Sequence, residues 1–241
     1  MSKVPLIPLS LIFAARVQSD RGVREGEDDQ CVKGHPIFAR FYDRLLAQTE
    51  KSGLAEMRRE LLAQASGRTL ELGAGTGHNL PFYTDRVSEL VLSEPDPHMA
   101  RRLREQLATE PAAPARAQVI EAPAEDLPFD DGSFDTVVST LVFCTVEDPR
   151  RALGEARRVL VEGGSLLFLE HVRSENRRLA WWQDRLERPW GFFAGGCHPN
   201  RPTEQTLADA GLWIERLDRD RLPAAPRIAK PLIRGLARRP D

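Results

Sequence analysis

Arg68–Tyr83 reads RTLELGAGTGHNLPFY, and the rest of the chain is organised around it. Thr69–Leu72 is a short apolar run carrying one acid, Glu71. Gly73, Gly75 and Gly77 then follow at alternate positions, with Ala74 between the first two. A strand running straight into a glycine-rich turn is how an α/β sheet offers backbone N–H groups to a ligand. Glycine is needed where the chain turns tightly and a ligand approaches the backbone. The spacing is E-x-G-x-G-x-G. A dinucleotide fingerprint would need glycine at position 78, which is His78. No Lys-Ser/Thr pair follows, so a phosphate-gripping loop is excluded as well. Glu71 would repel phosphates, but it suits a ligand that carries an ammonium and a sulfonium.

Downstream, Glu89–Ser93 reads as a second strand, ending at Glu94-Pro95. Asp96-Pro97 supplies an N-cap and an N1 proline, and Met99, Leu103 and Leu107 continue a helix. Glu94, at the carboxyl end of this strand, is placed to accept both hydroxyls of a ribose. Gln118–Glu121 is a short third strand and Phe134–Ser139 a buried fourth, which delivers Thr140 and Leu141 to the ligand edge. Asp148-Pro149 opens a helix to Leu160. Gly163-Gly164 turns the chain into strand Ser165–Leu169, which finishes with Glu170-His171. Serial strand–helix units imply a doubly wound, mostly parallel α/β sheet with ligands at the strands' carboxyl ends. Thr203–Ala210 is a further helix and Leu212–Leu217 the sixth strand. Upstream, Pro36–Thr49 and Leu54–Ala65 read as amphipathic helices, either core packing or a lid with Phe41 and Tyr42 at its rim.

Glu175–Arg201 breaks the alternation. It holds Trp181, Trp182 and Trp190, three of the four tryptophans, then Phe192-Phe193, Gly195-Gly196 and Cys197-His198. Aromatics this dense suit a helical cover, an apolar acceptor pocket or a surface that touches membrane. The net charge of −2 gives no electrostatic case for nucleic acid. Cys31, Cys144 and Cys197 lack metal-type spacing, and no two of the five histidines stand at i+3 or i+4, so no metal site is expected. At 241 residues one domain is expected over 34–241, preceded by a weakly structured extension over 1–33.

The glycine motif resembles that of class I S-adenosylmethionine-dependent methyltransferases, over a similarity running from about His35 to about Ala237. More specific are LVFCTVEDP at Leu141–Pro149, RRVLVEGG at Arg157–Gly164, Glu170-His171-Val172, Gly196-Cys197, Arg201, Thr203 and the Ala210-Gly211-Leu212 turn. Together they resemble the methyltransferase-like family that includes animal thiol S-methyltransferases. The chain is similar, more loosely, to type 11 methyltransferase domains and quinone-biosynthesis methyltransferases. HPIFARFYD at His35–Asp43 belongs to that looser likeness.

The resemblance implies a Rossmann-like, seven-stranded sheet whose last strand is antiparallel, placed at Pro226–Ile233 with Arg234–Arg239 as a frayed tail. It implies S-adenosylmethionine as cofactor. Gly73, Ala74, Gly75 and Gly77 would cradle the methionyl and ribose portions, and Glu71 would favour the ammonium. Glu94 with Pro95 would hold the ribose, and Thr140 and Leu141 would line the reacting edge. The A-E-D-L-P-F run at Ala124–Phe129 resembles the adenine-side loop. Pro123 stands where many members carry an acid, so the contact falls to Glu125 or to the backbone of Ala124 and Glu125. The acceptor is a small molecule: a thiol, with His171 to help supply thiolate and His198 or Cys197 behind it, or else a quinone, lipid or aromatic ring. A cofactor-binding protein without turnover is the non-enzyme reading. Val4–Ala15 is apolar but too short to span a bilayer. It has the length of a signal-peptide core, yet S-adenosylmethionine is a cytosolic metabolite, so a cytoplasmic protein is expected.

Overall fold

A computed structural model describes residues 49–240, apart from residue 115. The expected extension over 1–33, Cys31, Phe41, Tyr42 and all but the last residue of the helix Pro36–Thr49 lie outside the described residues.

The short β-branched and leucine-rich runs become seven strands: β1 (Gly67–Leu72), β2 (Val87–Ser93), β3 (Ala117–Ile120), β4 (Phe134–Thr140), β5 (Leu160–His171), β6 (Trp213–Arg221) and β7 (Pro231–Arg238). They form one sheet in the order β3-β2-β1-β4-β5-β7-β6. Pairings among β1 to β5 are parallel, and β7 runs antiparallel to both its neighbours. Helix α1 (Ala55–Leu62) precedes β1, and between the later strands lie α2 (Pro97–Thr109), α3 (Pro149–Val159), α4 (Arg177–Phe193) and α5 (Thr203–Asp209).

Because side chains alternate across a strand, a sheet covered on both faces buries consecutive apolar residues on opposite sides. In β5, Leu166 and Phe168 join one core with Val137 of β4, Leu153 of α3 and Leu207 of α5. Leu167 and Leu169 join the other, with Leu61 of α1 and Leu103 of α2. The caps read from sequence form as expected. Asp96 accepts from the N–H groups of His98 (2.8 Å) and Met99 (3.1 Å), and Asp148 from those of Arg150 (2.9 Å) and Arg151 (3.1 Å).

The last strand sits later than expected. Arg227–Ala229 is a 3-10 turn, and the supposed tail is the body of β7. Its arginines do not oppose pairing, because each meets an acid on β6: Arg234 with Asp220 at 2.9 Å and Arg238 with Glu215 at 2.6 Å. Leu232, Ile233, Leu236 and Ala237 fill the cores between them. The fifth strand also starts earlier, at Leu160, which pairs with Phe134, so Gly163 and Gly164 lie inside β5.

The aromatic segment folds as α4, capped by Asn176. Gln183, fully buried, pins the helix. Its Nε2 lies within hydrogen-bond reach of three carbonyl oxygens, Val172 (3.1 Å), Pro199 (2.8 Å) and Ile228 (2.9 Å), and its Oε1 accepts from Ser174 N–H.

Candidate active site

The glycine turn leaves the carboxyl end of β1 between β2 and β4. Gly73, Gly75 and Gly77 all adopt positive φ, 53°, 60° and 96°. A Cβ built on Gly73 would meet Val142 Cγ2 at 2.9 Å, so the loop after β4 closes directly on the turn. Ala74 N–H donates to Ser93 O (2.9 Å), which stitches the turn to β2. Glu94 spans the gap: its Oε2 accepts from Gly75 N–H (2.8 Å) and its Oε1 from Asp96 N–H (2.9 Å). Burial raises the Glu94 carboxyl above its ordinary range, although the two N–H donors pull it back. Pro95 follows half-buried.

Glu71 does not point openly at this space. It is buried, and both oxygens are occupied: Asn79 Nδ2 donates to Oε1 at 2.9 Å and the Tyr83 hydroxyl to Oε2 at 2.6 Å. Asn79 Nδ2 also donates to Thr140 Oγ1 (3.0 Å), and the Arg58 guanidinium donates to Asn79 Oδ1 (2.9 Å) and Thr140 Oγ1 (2.9 Å). Arg58, Asn79 and Tyr83 are therefore partners of the expected site residues that the sequence reading passed over. Arg58 had a legible signal, since a cation among Leu54, Met57, Leu61 and Leu62 interrupts the apolar face of its helix.

Desolvation pushes the Glu71 carboxyl up to about 7, against the Tyr83, Asn79 and Arg58 contacts that lower it. An acid whose pKa is raised on folding binds its proton more tightly folded than unfolded. Its contribution is therefore most favourable below the unfolded value and falls as pH rises to the folded one. That change is on the order of 3 kcal/mol. The melting temperature of Glu71→Gln should fall less steeply than that of wild type between about pH 5 and about pH 8. Parallel curves would mean that Glu71 does not titrate in this window.

Ala124 is buried and Glu125 half-buried, but the Glu125 carboxylate is committed to the loop before α3: its Oε1 accepts from Glu147 N–H (2.8 Å) and Asp148 N–H (3.2 Å). An adenine contact in this loop would then fall to the backbone. Leu141 leaves β4 at φ 62°, its N–H donating to Leu169 O at 2.8 Å. Beneath this bend, Glu170 Oε1 accepts from the Ser139 hydroxyl (2.7 Å) and Val142 N–H (3.0 Å). Burial pushes Glu170 up to about 7.

His171, expected at the pocket mouth, is buried instead. Its Nδ1 stands 3.3 Å from Cys197 Sγ, and its Nε2 has no hydrogen-bond partner among the described residues. Cys144 is buried close by. The two thiols are linked: Cys197 is driven down, by the Cys144 thiol first and then by His171, while Cys144 is driven up. His198 turns the other way, its Nδ1 2.8 Å from Glu187 Oε1. Spacing gave no hint of the Cys144–His171–Cys197 group, because three separate elements supply it.

Trp181 and Trp182 on α4 are about half exposed, and no described helix is long and apolar enough to cross a membrane. A cavity of about 1280 Å³ lies between α4 and the edge formed by β6 and β7, bounded by Val172, Asn176, Leu179, Trp182, Ile228 and Ile233. It does not reach the glycine turn.

The glycine cradle, with Glu94 buried across it, fits a nucleoside-bearing cation, and the comparisons agree. Residues 70–168 match the family model described as a methyltransferase domain. The human thiol S-methyltransferase TMT1B is 36% identical over 215 residues, covering 84% of this chain and 87% of that protein. The phosphatidylethanolamine N-methyltransferase of Cereibacter sphaeroides is 32% identical over 150 residues, 61% of this chain and 71% of that protein. Among solved structures, an S-adenosylmethionine-dependent methyltransferase from Thermotoga maritima superposes with a TM-score of 0.61 at 21% identity, covering 85% of this chain and all of that one. The chain belongs to the class I S-adenosylmethionine-dependent methyltransferases, in the group that holds the thiol S-methyltransferases.

Proposed function

We propose that this enzyme methylates the sulfur of a small, largely apolar thiol. The observation that carries the reading is His171: a buried imidazole at the end of β5, with one nitrogen on a cysteine sulfur and the other without a hydrogen-bond partner among the described residues. Thr140–Val142, at the end of the neighbouring strand, separates it from the glycine turn. When bound, S-adenosylmethionine supplies an electrophilic methyl group on a good leaving group, so the chain's own work is alignment, desolvation and provision of a thiolate. Gly73, Ala74, Gly75 and Gly77 would receive the methionyl and ribose portions, and Glu94 and Pro95 the ribose. The backbone of Ala124 and Glu125 would border the adenine, and Thr140 and Leu141 the transferring methyl. Glu71, held by Asn79 and Tyr83, braces the turn, and its ionised fraction would favour the ammonium. His171 is the group placed to help supply the thiolate. The cavity under α4, with an apolar wall of Leu179, Trp182, Ile228 and Ile233, is lined by Val172 and not by His171 itself, so an acceptor held there would have to extend past it to meet the methyl group.

The test is a panel of small thiols, phenols, quinols and amines, amino lipids included, assayed for methylated product. S-methyl products formed fastest are expected. Transfer to oxygen, nitrogen or carbon acceptors alone would overturn the thiol reading. His171→Ala should lower kcat by about 100-fold or more, while S-adenosylmethionine affinity stays within about threefold. Unchanged turnover at saturating cofactor would remove His171 from the mechanism.

A further inference from the structure

Cys144 lies in the loop after β4, His171 ends β5, and Cys197 sits in the turn after α4. All three are buried, and one donor atom from each lies within 4.8 Å of the other two. In a tetrahedral zinc site, Zn–S near 2.3 Å and Zn–N near 2.0–2.1 Å put neighbouring ligand atoms roughly 3.5–3.8 Å apart. The observed 3.3 Å between His171 Nδ1 and Cys197 Sγ, inside a 4.8 Å triangle, needs only small shifts to receive such an ion.

The backbone fixes the triangle. His198 N–H donates to Cys144 O (2.6 Å), Arg201 Nη1 to Phe143 O (2.5 Å) and Arg173 N–H to Arg201 O (2.9 Å), so residues 197–201 are tied across the loop that carries Cys144. Within this buried setting two of the donor groups are poorly served. Cys144 Sγ reaches Leu141 O only at 3.6 Å and otherwise faces the Cys197 thiol, and His171 Nε2 is buried with no hydrogen-bond partner among the described residues. Two thiolates and one divalent ion sum to zero charge, so the ion would add no net charge to this buried setting.

We propose that Cys144, His171 and Cys197 bind one zinc-type divalent ion, leaving its fourth position for an acceptor thiolate. A soft metal prefers two sulfurs and an imidazole, and three protein ligands with one open position is the pattern of a reactive zinc site. The second half of the proposal rests on the thiol reading above. The acceptor R–SH would lose its proton to solvent on joining the metal as R–S⁻. Its sulfur then forms a C–S bond to the methyl carbon as the sulfonium C–S bond breaks, the electron pair staying on S-adenosylhomocysteine. The neutral thioether, a weaker ligand, dissociates. His171 then acts as a ligand, not as the proton acceptor. Val142 packs on Gly73 two residues before Cys144, which joins the cluster to the cofactor turn through a single short loop.

The experiment is elemental analysis of the full chain purified under reducing conditions, before and after incubation with Zn²⁺, followed by Co²⁺ substitution. About one metal ion per chain is expected, with sulfur-to-cobalt charge-transfer absorption that changes when a small thiol is added. His171→Ala and Cys197→Ala should lose the ion, His171→Cys should keep it, and Cys31→Ser should be unaffected. Circular dichroism reports whether each variant is folded. A folded wild type that binds no Zn²⁺ or Co²⁺ overturns the proposal. So does a non-reduced mass showing Cys144 and Cys197 joined as a disulfide in active enzyme. Metal binding without S-methylation would keep the ion and sink the thiol reading. S-methylation without metal would do the reverse.

Discussion

Glu94→Ala is expected to weaken binding of both S-adenosylmethionine and S-adenosylhomocysteine by about 100-fold or more, read by calorimetric titration. An ionised carboxylate offers about four lone-pair sites, and Glu94 uses two of them on Gly75 and Asp96. It is buried all the same, and its raised pKa records an incompletely compensated charge. Two ribose hydroxyls would fill the remaining sites. Hydrogen bonds to a charged group contribute roughly 1.5–3 kcal/mol each, so losing two amounts to about 3–6 kcal/mol, a factor of roughly 10² to 10⁴. Glu94→Gln keeps one acceptor and should fall between. Adding donors to the carboxylate also lowers its pKa, so affinity should rise with pH through the titration of Glu94. Unchanged affinity in the alanine variant, with the fold intact, would place the ribose acid elsewhere.

Gly235→Ala is expected to be the most damaging of the single-methyl additions in the sheet. Gly235 lies in β7 opposite Phe168 of β5 and Leu217 of β6, beside the register shift between Ile214 and Arg216. A Cβ there would stand 2.0 Å from Arg216 O and 2.8 Å from Phe168 Cζ. Neither neighbour yields freely: the carbonyl belongs to a bulged strand, and the ring is fully buried in the core. Overpacking of this kind costs about 3 kcal/mol or more. For a domain of this size that lowers the melting temperature by roughly 6–12 °C. Gly154→Ala is the contrast, because a Cβ on that α3 position meets nothing within 4 Å. It should be neutral or stabilise by up to about 1 kcal/mol. A Gly235→Ala melting point within about 2 °C of wild type would mean that the β6 bulge relaxes at no cost.

The parallel sheet was legible because its signals are local. The apolar run before Gly73 and the Asp-Pro pairs at Asp96 and Asp148 each specify an element within a few residues. β7 was misplaced because charge was read as fraying, whereas Arg234 and Arg238 are neutralised by acids on a neighbouring strand. Among the site residues, the glycines and Glu94 were readable from spacing, since the turn and the two strand ends are consecutive in sequence. The partners of Glu71 were only partly readable. Asn79 and Tyr83 stand in the same stretch as Glu71, but their direction depends on how the 3-10 turn at Leu80–Phe82 folds back. The Cys144–His171–Cys197 group was not readable from spacing at all, because tertiary packing brings its members together.

Gln183 has a practical meaning for recombination between relatives. Its single amide reaches the carbonyls of Val172, Pro199 and Ile228, so it sets where α4 sits against the strand edges around it. A chimaera that takes residues 172–202 from another member inherits that member's helix and its tryptophans, while Glu71, the glycine turn and Glu94 stay native. Whether the graft seats depends on this one side chain: a donor segment bearing glutamine at the equivalent position keeps the three carbonyls capped. One lacking it forfeits all three contacts, the one to Pro199 fully buried, and the transplanted helix loses its alignment whatever acceptor it was chosen for.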